Sequence, residues 1–394
     1  MSYNFSNKVQ SLKPSAIREI LKFTSLPGII PFAAGNPAPQ AFPVETITGI
    51  LNKIMTERPV DALQYSISEG YTPLRDTLKK YMAEKHNSFN SEADDLIITS
   101  GAQQVMDLTA KALCNEGDTV ICEEPSFIGS LNAFRSQGLH LSGVPLCDDG
   151  IDTEILEEKL KTEKNVRFIY VIPTFQNPSG LTMSLEKRRE VYRLACKYDV
   201  IILEDNPYSD LRFAGESIPT IKSIDTESRV VYAGSFSKVL SPGIRVGFAI
   251  SPKEVSSKLV VCKQVSDVHT NITYQMVADI FMNEYDYEEH LTGLKKIYRD
   301  KASLMLKHMD KNLSKEITYT APQGGLFVWC KLPTDVDMLS YCKRAVENSV
   351  ATVPGNAFIM NESDPCSYFR MNYSTPTDEQ IVKGLSILGK LSLR

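Results

Sequence analysis

Between Asp94 and Ile250 the chain repeats one pattern, in which short apolar runs end in turns and amphipathic helical stretches follow several of them. The apolar runs are Leu96–Thr99, Thr119–Cys122, Leu139–Val144, Phe168–Ile172, Val200–Leu203, Val230–Ala233 and Val246–Ile250. Runs with almost no alternating polar positions are typical of strands buried on both faces, as in parallel sheets covered by helices. The pattern therefore predicts an α/β fold with a mostly parallel, seven-stranded sheet.

The sequence on either side of this repeat differs from it, so we expect three parts. Residues 1–45 are predicted to form an arm with a short helix, Ala16–Phe23, and a Gly- and Pro-rich segment that cannot continue a helix. Residues 46–285 are predicted to form the large domain, which contains the sheet. Residues 286–394 are predicted to form a smaller α/β domain that begins with the long charged helix Tyr287–Asn312. A chain of 394 residues is long enough for two cores.

Composition narrows the class of protein. The formal net charge of -5 argues against a general nucleic-acid surface, and no apolar run is long enough to span a bilayer. The segment Met1–Lys13 is polar and lacks the apolar core of a secretion signal. The eight cysteines form no Cys-x-x-Cys pair, and the five histidines form no metal-binding pattern. We therefore expect a cytoplasmic protein that binds no metal, nucleic acid or membrane.

Polar residues follow three of the predicted strands. Asn177, Asp205 and the segment Ser235–Lys238 each come shortly after an apolar run. In open parallel sheets ligands bind beyond the carboxyl ends of the strands, which meet at one edge. We therefore expect one cleft to collect these side chains.

Lys238 lies in a turn of small residues, where its amine can approach an aldehyde and form a Schiff base. Burial beside Arg245 would lower its proton affinity. Ser235 and Ser237 offer hydroxyl groups, and Arg245 offers a planar fork for a phosphate. The segment Ser100-Gly101-Ala102-Gln103 opens a predicted helix, whose first free N–H groups favour a phosphate as well.

Other residues suit an aromatic ring. Asp205 is suited to keep a pyridine nitrogen protonated, although such an Asp is also a common helix cap. Asn177 and Tyr208 are candidates to contact a phenolic ring oxygen, and Phe127 to stack on the ring; a structural turn and a core role are the alternatives. With Lys238, these residues meet the requirements of pyridoxal phosphate.

Arg370 is an isolated charge in the apolar strand-like segment Tyr368–Tyr373. An unpaired buried charge is very costly, so the guanidinium needs a partner. Either a substrate carboxylate or an internal ion pair would meet this need.

Taken together, these motifs resemble the class I/II aminotransferases of fold type I, which are pyridoxal-phosphate enzymes. The resemblance is greatest to the kynurenine/2-aminoadipate aminotransferases and the aminotransferase-like domains of MocR regulators, and it covers almost the whole chain. The motifs that carry it are Ala34-Gly35-Asn36-Pro37, Gln64-Tyr65, Ser100-Gly101-Ala102-Gln103, Asn177-Pro178-Ser179-Gly180, Glu204-Asp205-x-x-Tyr208, Ser235-x-Ser237-Lys238, Gly243-x-Arg245-x-Gly247 and Phe369-Arg370.

The resemblance implies pyridoxal 5'-phosphate as cofactor, with Lys238 as Schiff-base lysine and general base and with Asp205 and Tyr208 as its catalytic partners. The residues implied to bind the cofactor are Gly101, Ala102, Gln103, Phe127, Asn177, Asp205, Tyr208, Ser235, Ser237, Lys238 and Arg245. Tyr65 would reach the phosphate of a neighbouring subunit, which implies a homodimer with shared active sites. Phe127 stands where many relatives carry Tyr.

For the substrate, the resemblance implies that Arg370 holds the carboxylate, together with Asn177, while Gly35 and Arg18 border the side-chain pocket. The implied reaction moves an amino group between an α-amino acid, with aromatic or 2-aminoadipate-like donors favoured, and a 2-oxo acid such as 2-oxoglutarate. A pyridoxal-phosphate-dependent C–S or β-eliminating lyase is one alternative, because the pocket chooses which bond breaks. A non-catalytic cofactor-binding sensor module is another, and the lack of a helix-turn-helix pattern before the arm weakens it.

Overall fold

The computed structural model describes residues 3–11 and 28–393. The predicted helix Ala16–Phe23, and Arg18 within it, lie outside the described residues.

A large sheet holds most of the predicted strands. Its strands are β1 (Asp94–Thr99), β2 (Thr119–Glu124), β3 (His140–Cys147), β4 (Gly150–Ile151), β5 (Val166–Val171), β6 (Ile201–Asp205), β7 (Val230–Ser235) and β8 (Gly247–Pro252). They lie in the order β1-β8-β7-β6-β5-β2-β3-β4. Strands β3, β2, β5, β6 and β7 pair in parallel, whereas β8 is antiparallel to both β7 and β1. The mostly parallel α/β sheet is therefore confirmed.

The predicted number of seven strands needs a correction, because the sheet has eight. The additional strand, β4, contains two residues and pairs antiparallel with the end of β3. Two residues are too few to show a strand period in the sequence.

Helices cover both faces of this sheet. Alternate residues of one strand enter different cores, as Phe168 and Ile169 of β5 do. The α-helices described before residue 286 are α1 (Asn7–Ser11), α2 (Val44–Glu57), α3 (Pro59–Leu63), α4 (Thr72–His86), α5 (Ala102–Leu113), α6 (Ile128–Ser136), α7 (Thr153–Thr162), α8 (Leu185–Lys197), α9 (Lys253–Ser266) and α10 (Ile272–Glu284). No helix in the described ranges is both long and apolar enough to cross a bilayer.

A second, smaller sheet follows the long helix α11 (Tyr287–Asn312). Its strands are β9 (Thr318–Tyr319), β10 (Phe327–Lys331), β11 (Val353–Pro354) and β12 (Tyr368–Asn372), all antiparallel and in the order β11-β12-β10-β9. Helices α12 (Met338–Glu347) and α13 (Asp378–Leu388) complete this region.

The segment after residue 27 is tied to the second sheet. Ile30 forms a bridge with Val350, and the carbonyl oxygen of Phe32 accepts a hydrogen bond of 2.8 Å from the Asn372 N–H. These bonds bring the predicted Gly- and Pro-rich segment, Ala33–Pro39, beside the second sheet.

Arg188 of α8 fixes the connection that follows β5. Its side chain is fully buried and donates to the carbonyl oxygens of Pro173 (2.7 Å), Met183 (3.0 Å) and Pro219 (2.9 Å). Glu204 is the charged group that most offsets the effect of burial on the pKa of Arg188, which is lowered to about 10. The residues between Pro173 and Met183 include Asn177, so this guanidinium holds a segment that carries a predicted site residue.

We expect Arg188→Met to lower the free energy of unfolding by about 3 kcal/mol, because several buried carbonyl oxygens lose their donor. Urea unfolding monitored by circular dichroism measures this change. Arg189→Met is the matched control, since Arg189 is the exposed neighbour on the same helix. Equal stability of the two variants would contradict the bracing role of Arg188.

Candidate active site

A cavity of about 770 Å³ lies beyond the carboxyl ends of the central strands, between the two sheets. Most residues predicted from the sequence contribute to its wall. They are Gly35, Ala102, Gln103, Phe127, Asn177, Asp205, Tyr208, Ser235, Ser237, Lys238, Arg245 and Arg370. The convergence expected from the strand ends is therefore present in the structure.

Lys238 lies in the turn between β7 and β8. Its Nζ donates a hydrogen bond of 2.7 Å to the carbonyl oxygen of Gly35. Burial, together with the positive charges of Arg370 and Arg245, lowers the pKa of the ammonium group to about 8. A neutral amine is therefore accessible close to neutral pH, as a nucleophile or base requires.

Asp205 is the last residue of β6 and is almost completely buried. Its Oδ2 accepts a hydrogen bond of 2.8 Å from the Tyr170 hydroxyl, and its Oδ1 has no partner among the described residues. Burial raises the pKa of Asp205 to about 7 in spite of the Tyr170 hydrogen bond, which acts in the opposite direction. A buried carboxylate oxygen without a donor is suited to a ligand that brings a protonated nitrogen.

Arg370 of β12 is buried at the opposite wall. It donates to Asn177 Oδ1 (2.7 Å) and to the Ala33 carbonyl oxygen (3.1 Å), and its guanidinium lies 4.2 Å from the centre of the Phe327 ring. None of its bonds within the described part of the chain is to a carboxylate, and its Nε has no partner there. The internal ion pair that the sequence left open is thus not found among these residues.

Tyr208 completes this wall. Its ring meets the Phe327 ring edge-on, with centroids 6.0 Å apart. Burial raises the pKa of the Tyr208 phenol above its usual value, and the nearby Arg370 charge and the Asn177 amide partly offset that rise. The phenol therefore remains protonated and can donate a hydrogen bond into the cavity.

A second set of groups forms an anion site. Ser235 Oγ donates to Ser237 Oγ (2.9 Å), and the guanidinium of Arg245 donates to the carbonyl oxygen of Ser100 (3.0 Å). Gly101 precedes α5 with a φ of +79°, and a Cβ there would run into the Arg245 guanidinium. No side chain caps α5, so its first N–H groups stay available to an anion.

A buried lysine that the sequence analysis did not single out supports this anion site. Lys263 of α9 donates to Gln104 Oε1 (2.8 Å), Asp267 Oδ1 (2.9 Å) and Thr270 Oγ1 (2.9 Å). Gln104 in turn accepts from the Ser100 N–H (2.8 Å), and Asp267 accepts from the Ser100 hydroxyl (2.7 Å). The network fixes the turn that positions Arg245. A lysine on a surface helix gives no sequence signal of such a role.

The remaining predicted residues differ in position. Phe127 and Gln103 border the cavity, and Gln103 Nε2 donates to the Gly129 carbonyl oxygen (2.7 Å). Tyr65 does not contribute to the cavity of its own chain: it is 82% exposed, and its ring meets His269 edge-on. Arg18 lies outside the described residues.

The residues present fit pyridoxal 5'-phosphate. Asp205 offers an unpartnered carboxylate oxygen, Lys238 an amine with a lowered pKa, and the Ser235–Arg245 region an anion site. Arg370 adds a cation without a carboxylate partner in the described residues. The ring nitrogen, the aldehyde, the phosphate and a substrate carboxylate each have a complementary group.

Comparisons with known proteins agree with this geometry. Residues 28–388 match the family of class I and II aminotransferases. An aromatic-amino-acid aminotransferase of Thermococcus litoralis is 37% identical over 98% of this chain and 93% of its own length. A 2-aminoadipate transaminase of Thermus thermophilus is 38% identical over 98% of this chain and 96% of its own.

A solved structure gives the same result. The kynurenine aminotransferase of Pyrococcus horikoshii, crystallised with PMP, superposes with a TM-score of 0.94 at 37% identity, covering 98% of this chain and 96% of that one. These relatives favour amino-group transfer over the lyase and sensor alternatives. The chain belongs to the class I and II aminotransferases of fold type I, and it uses pyridoxal 5'-phosphate to move an amino group between an α-amino acid and a 2-oxo acid.

Proposed function

We propose that this aminotransferase takes its amino group from an aromatic or 2-aminoadipate-like amino acid and passes it to 2-oxoglutarate. The observation that carries the site assignment is the convergence of Lys238, Asp205 and Arg370 on one cavity, each without an opposite charge bonded to it in the described residues. The named relatives support the choice of donor, since they act on aromatic substrates or 2-aminoadipate.

Each residue of the site has a defined role in this proposal. The cofactor, when bound, supplies an electron sink for negative charge at the substrate α-carbon. Lys238 Nζ would hold the cofactor and move the proton at the substrate α-carbon, for which its lowered pKa is suited. Asp205 would keep the ring nitrogen protonated, and Tyr208 and Asn177 would contact the ring oxygen.

The anion site would hold the phosphate. Ser235, Ser237 and Arg245 line the cavity and would donate to it, together with the N–H groups at Ala102 and Gln103 that begin α5. Gly101 is required there because a side chain would occupy the space of the Arg245 guanidinium.

The cavity wall supports a bulky, partly apolar donor. Phe127 and Phe327 offer aromatic faces, and Ile128 and Met106 extend the apolar surface. The amide of Asn132 on the same wall offers a contact for a polar tip. Such a mixture of apolar walls and a few placed polar groups is typical of small-molecule sites. Gly35 borders this space, and Arg18 remains a proposed pocket residue on the resemblance alone.

We expect Lys238→Ala to abolish covalent attachment of the cofactor and to slow transfer by about a hundred- to ten-thousandfold, because the base is lost. Mass spectrometry after borohydride reduction detects the attachment, and a coupled assay with 2-oxoglutarate measures transfer. Lys258→Ala, at an exposed position, is the control. Cofactor still bound covalently in Lys238→Ala would refute the assignment.

We expect Arg370→Lys to weaken amino-acid binding by about tenfold or more while cofactor binding changes little, since a point charge replaces a planar fork. Titrations of the purified protein with each amino acid, read by the change in cofactor absorbance, give the affinity and also rank the donors. Arg299→Lys, at an exposed arginine, is the control. Equal weakening of amino-acid and cofactor binding would argue against a carboxylate contact.

A homodimer with shared sites is the second part of the proposal. Tyr65 is exposed, as are Leu63 (72% exposed) two residues before it and Val265 (83% exposed) on α9. The Tyr65 ring contacts His269, and the adjacent residues Asp267 and Thr270 bond to Lys263 in the network behind the anion site. Exposed apolar side chains close to this network support contact with a second copy, whose phosphate site Tyr65 would then reach.

Mixed dimers test this arrangement. We expect Lys238→Ala and Tyr65→Ala chains, each poorly active alone, to regain activity when they are unfolded together and refolded as a mixture. One site of the mixed dimer then combines an intact Lys238 with an intact Tyr65 from the other chain. No gain over the separate proteins, in particles shown by light scattering to be dimers, would contradict shared sites.

The domain division also remains our proposal, with an arm at 1–45, a large domain at 46–285 and a small domain at 286–394. The two separate sheets and the start of α11 at Tyr287 support these bounds. A cytoplasmic location likewise remains our proposal.

A further inference from the structure

Tyr170 is a buried side chain that the roles above do not use. It lies on β5 and is fully buried in the same apolar core as Phe134 and Phe168. The Phe134 and Tyr170 rings meet edge-on, with centroids 5.3 Å apart. Packing therefore fixes the ring, and the hydroxyl is the only polar atom of the side chain.

The hydroxyl of Tyr170 stands in the middle of a short chain of hydrogen bonds. Ser130 Oγ, on α6 at the cavity wall, donates to the Tyr170 hydroxyl at 2.8 Å. The Tyr170 hydroxyl then donates to Asp205 Oδ2, also at 2.8 Å. Because Ser130 occupies an acceptor position of the phenol, the phenolic proton is directed to Asp205.

Among the described residues, the titratable groups whose pKa the Asp205 charge affects are one carboxyl group and several phenols, and the cations Lys238 and Arg370 line the same cavity. Glu123 of β2 lies close enough for the Asp205 charge to raise its pKa, in addition to the larger effect of burial. Tyr208 and Tyr232 are the other nearby groups, and burial raises the pKa of each phenol. Burial raises the pKa of Tyr170 well above its usual value too, so the phenol stays a donor. Its hydrogen bond opposes the effect of burial on Asp205.

We propose that Tyr170 is a positioning residue that holds Asp205 through Oδ2, keeps that carboxyl group ionised and leaves Oδ1 for the cofactor ring nitrogen. Ser130 directs the phenolic proton. The inference deepens the proposed role of Asp205 and rests on it. Since Asp205 has no other side-chain hydrogen bond in the described part of the chain, the phenol orients this carboxyl group and favours its charged form against the effect of burial.

The test removes one oxygen atom. Tyr170→Phe keeps the ring and its packing, and Tyr341→Phe is the matched control, because Tyr341 is also fully buried and its hydroxyl has no partner among the described residues. Carbon-13 NMR of aspartate carboxyl groups follows the titration of Asp205 in the full-length, cofactor-free protein. Asp205→Asn identifies the Asp205 signal by its loss.

We expect the titration midpoint of Asp205 to rise by about one pH unit in Tyr170→Phe and to stay unchanged in Tyr341→Phe, since loss of a hydrogen bond to the charged form favours the neutral form. In the holoenzyme, the acid limb of kcat/KM should then move to higher pH by a similar amount, and cofactor affinity at neutral pH should fall. An unchanged Asp205 midpoint in Tyr170→Phe would overturn the proposal.

Ser130→Ala provides a second variant that leaves the aromatic core intact. We expect it to move the Asp205 midpoint in the same direction by a smaller amount. An unchanged midpoint would contradict the role of Ser130 in directing the phenolic proton.

Failure of the proposed function can be distinguished from failure of this inference. Full activity of Asp205→Asn would refute the catalytic role of Asp205, whereas the NMR midpoint reports on Tyr170 whether or not the enzyme turns over.

Discussion

Burial of charge without direct pairing is the constraint on which this site depends. Asp205 and Arg370 are buried and Lys238 is partly buried, yet the hydrogen bonds described for them are to neutral groups: a phenol for Asp205, a backbone carbonyl for Lys238, and an amide with a second carbonyl for Arg370. Such burial is costly, and it shifts the pKa of each group toward its neutral form. A ligand with a ring nitrogen, an aldehyde and a carboxylate offers these three groups the partners that the described residues lack.

The rigid scaffold that holds these groups lies behind the cavity wall. Arg188 fixes the segment before Asn177 through backbone carbonyl groups, and Lys263 fixes the turn that positions Arg245. Tyr170 does the same for Asp205 from within an aromatic core. In each case a buried polar side chain satisfies groups that would otherwise be unpaired, and it thereby holds a site residue in place.

The site is completed by parts of the chain far apart in sequence. The carbonyl oxygens of Ala33 and Gly35 accept hydrogen bonds from Arg370 and Lys238, across separations of 337 and 203 residues. Phe32 meanwhile joins the same segment to β12. The first described residues after position 27 therefore connect the lysine of the large sheet with the arginine of the small one, which makes this segment part of the active-site wall.

Much of the fold follows from local patterns. The apolar runs predicted the large sheet, and the helical pattern gave both ends of α11. The carboxyl ends of parallel strands lie at one edge of the sheet. For this reason the sequence alone predicted that Asn177, Asp205 and Lys238 lie close together. These features depend on the spacing of apolar residues and on the direction of the strands. Both can be inferred from residues that are close together in the sequence.

Tertiary structure decided what depends on distant partners. Nothing near Arg370 in the sequence distinguishes a substrate contact from an internal ion pair; only the surrounding elements show Asn177 and Ala33 as its partners. Tyr170 reads as one more aromatic residue of a buried strand, and Lys263 as one more lysine on an amphipathic helix. Their roles arise because folding places a polar atom of each side chain beside a group that would otherwise be unpaired. The sequence around each residue does not predict this contact.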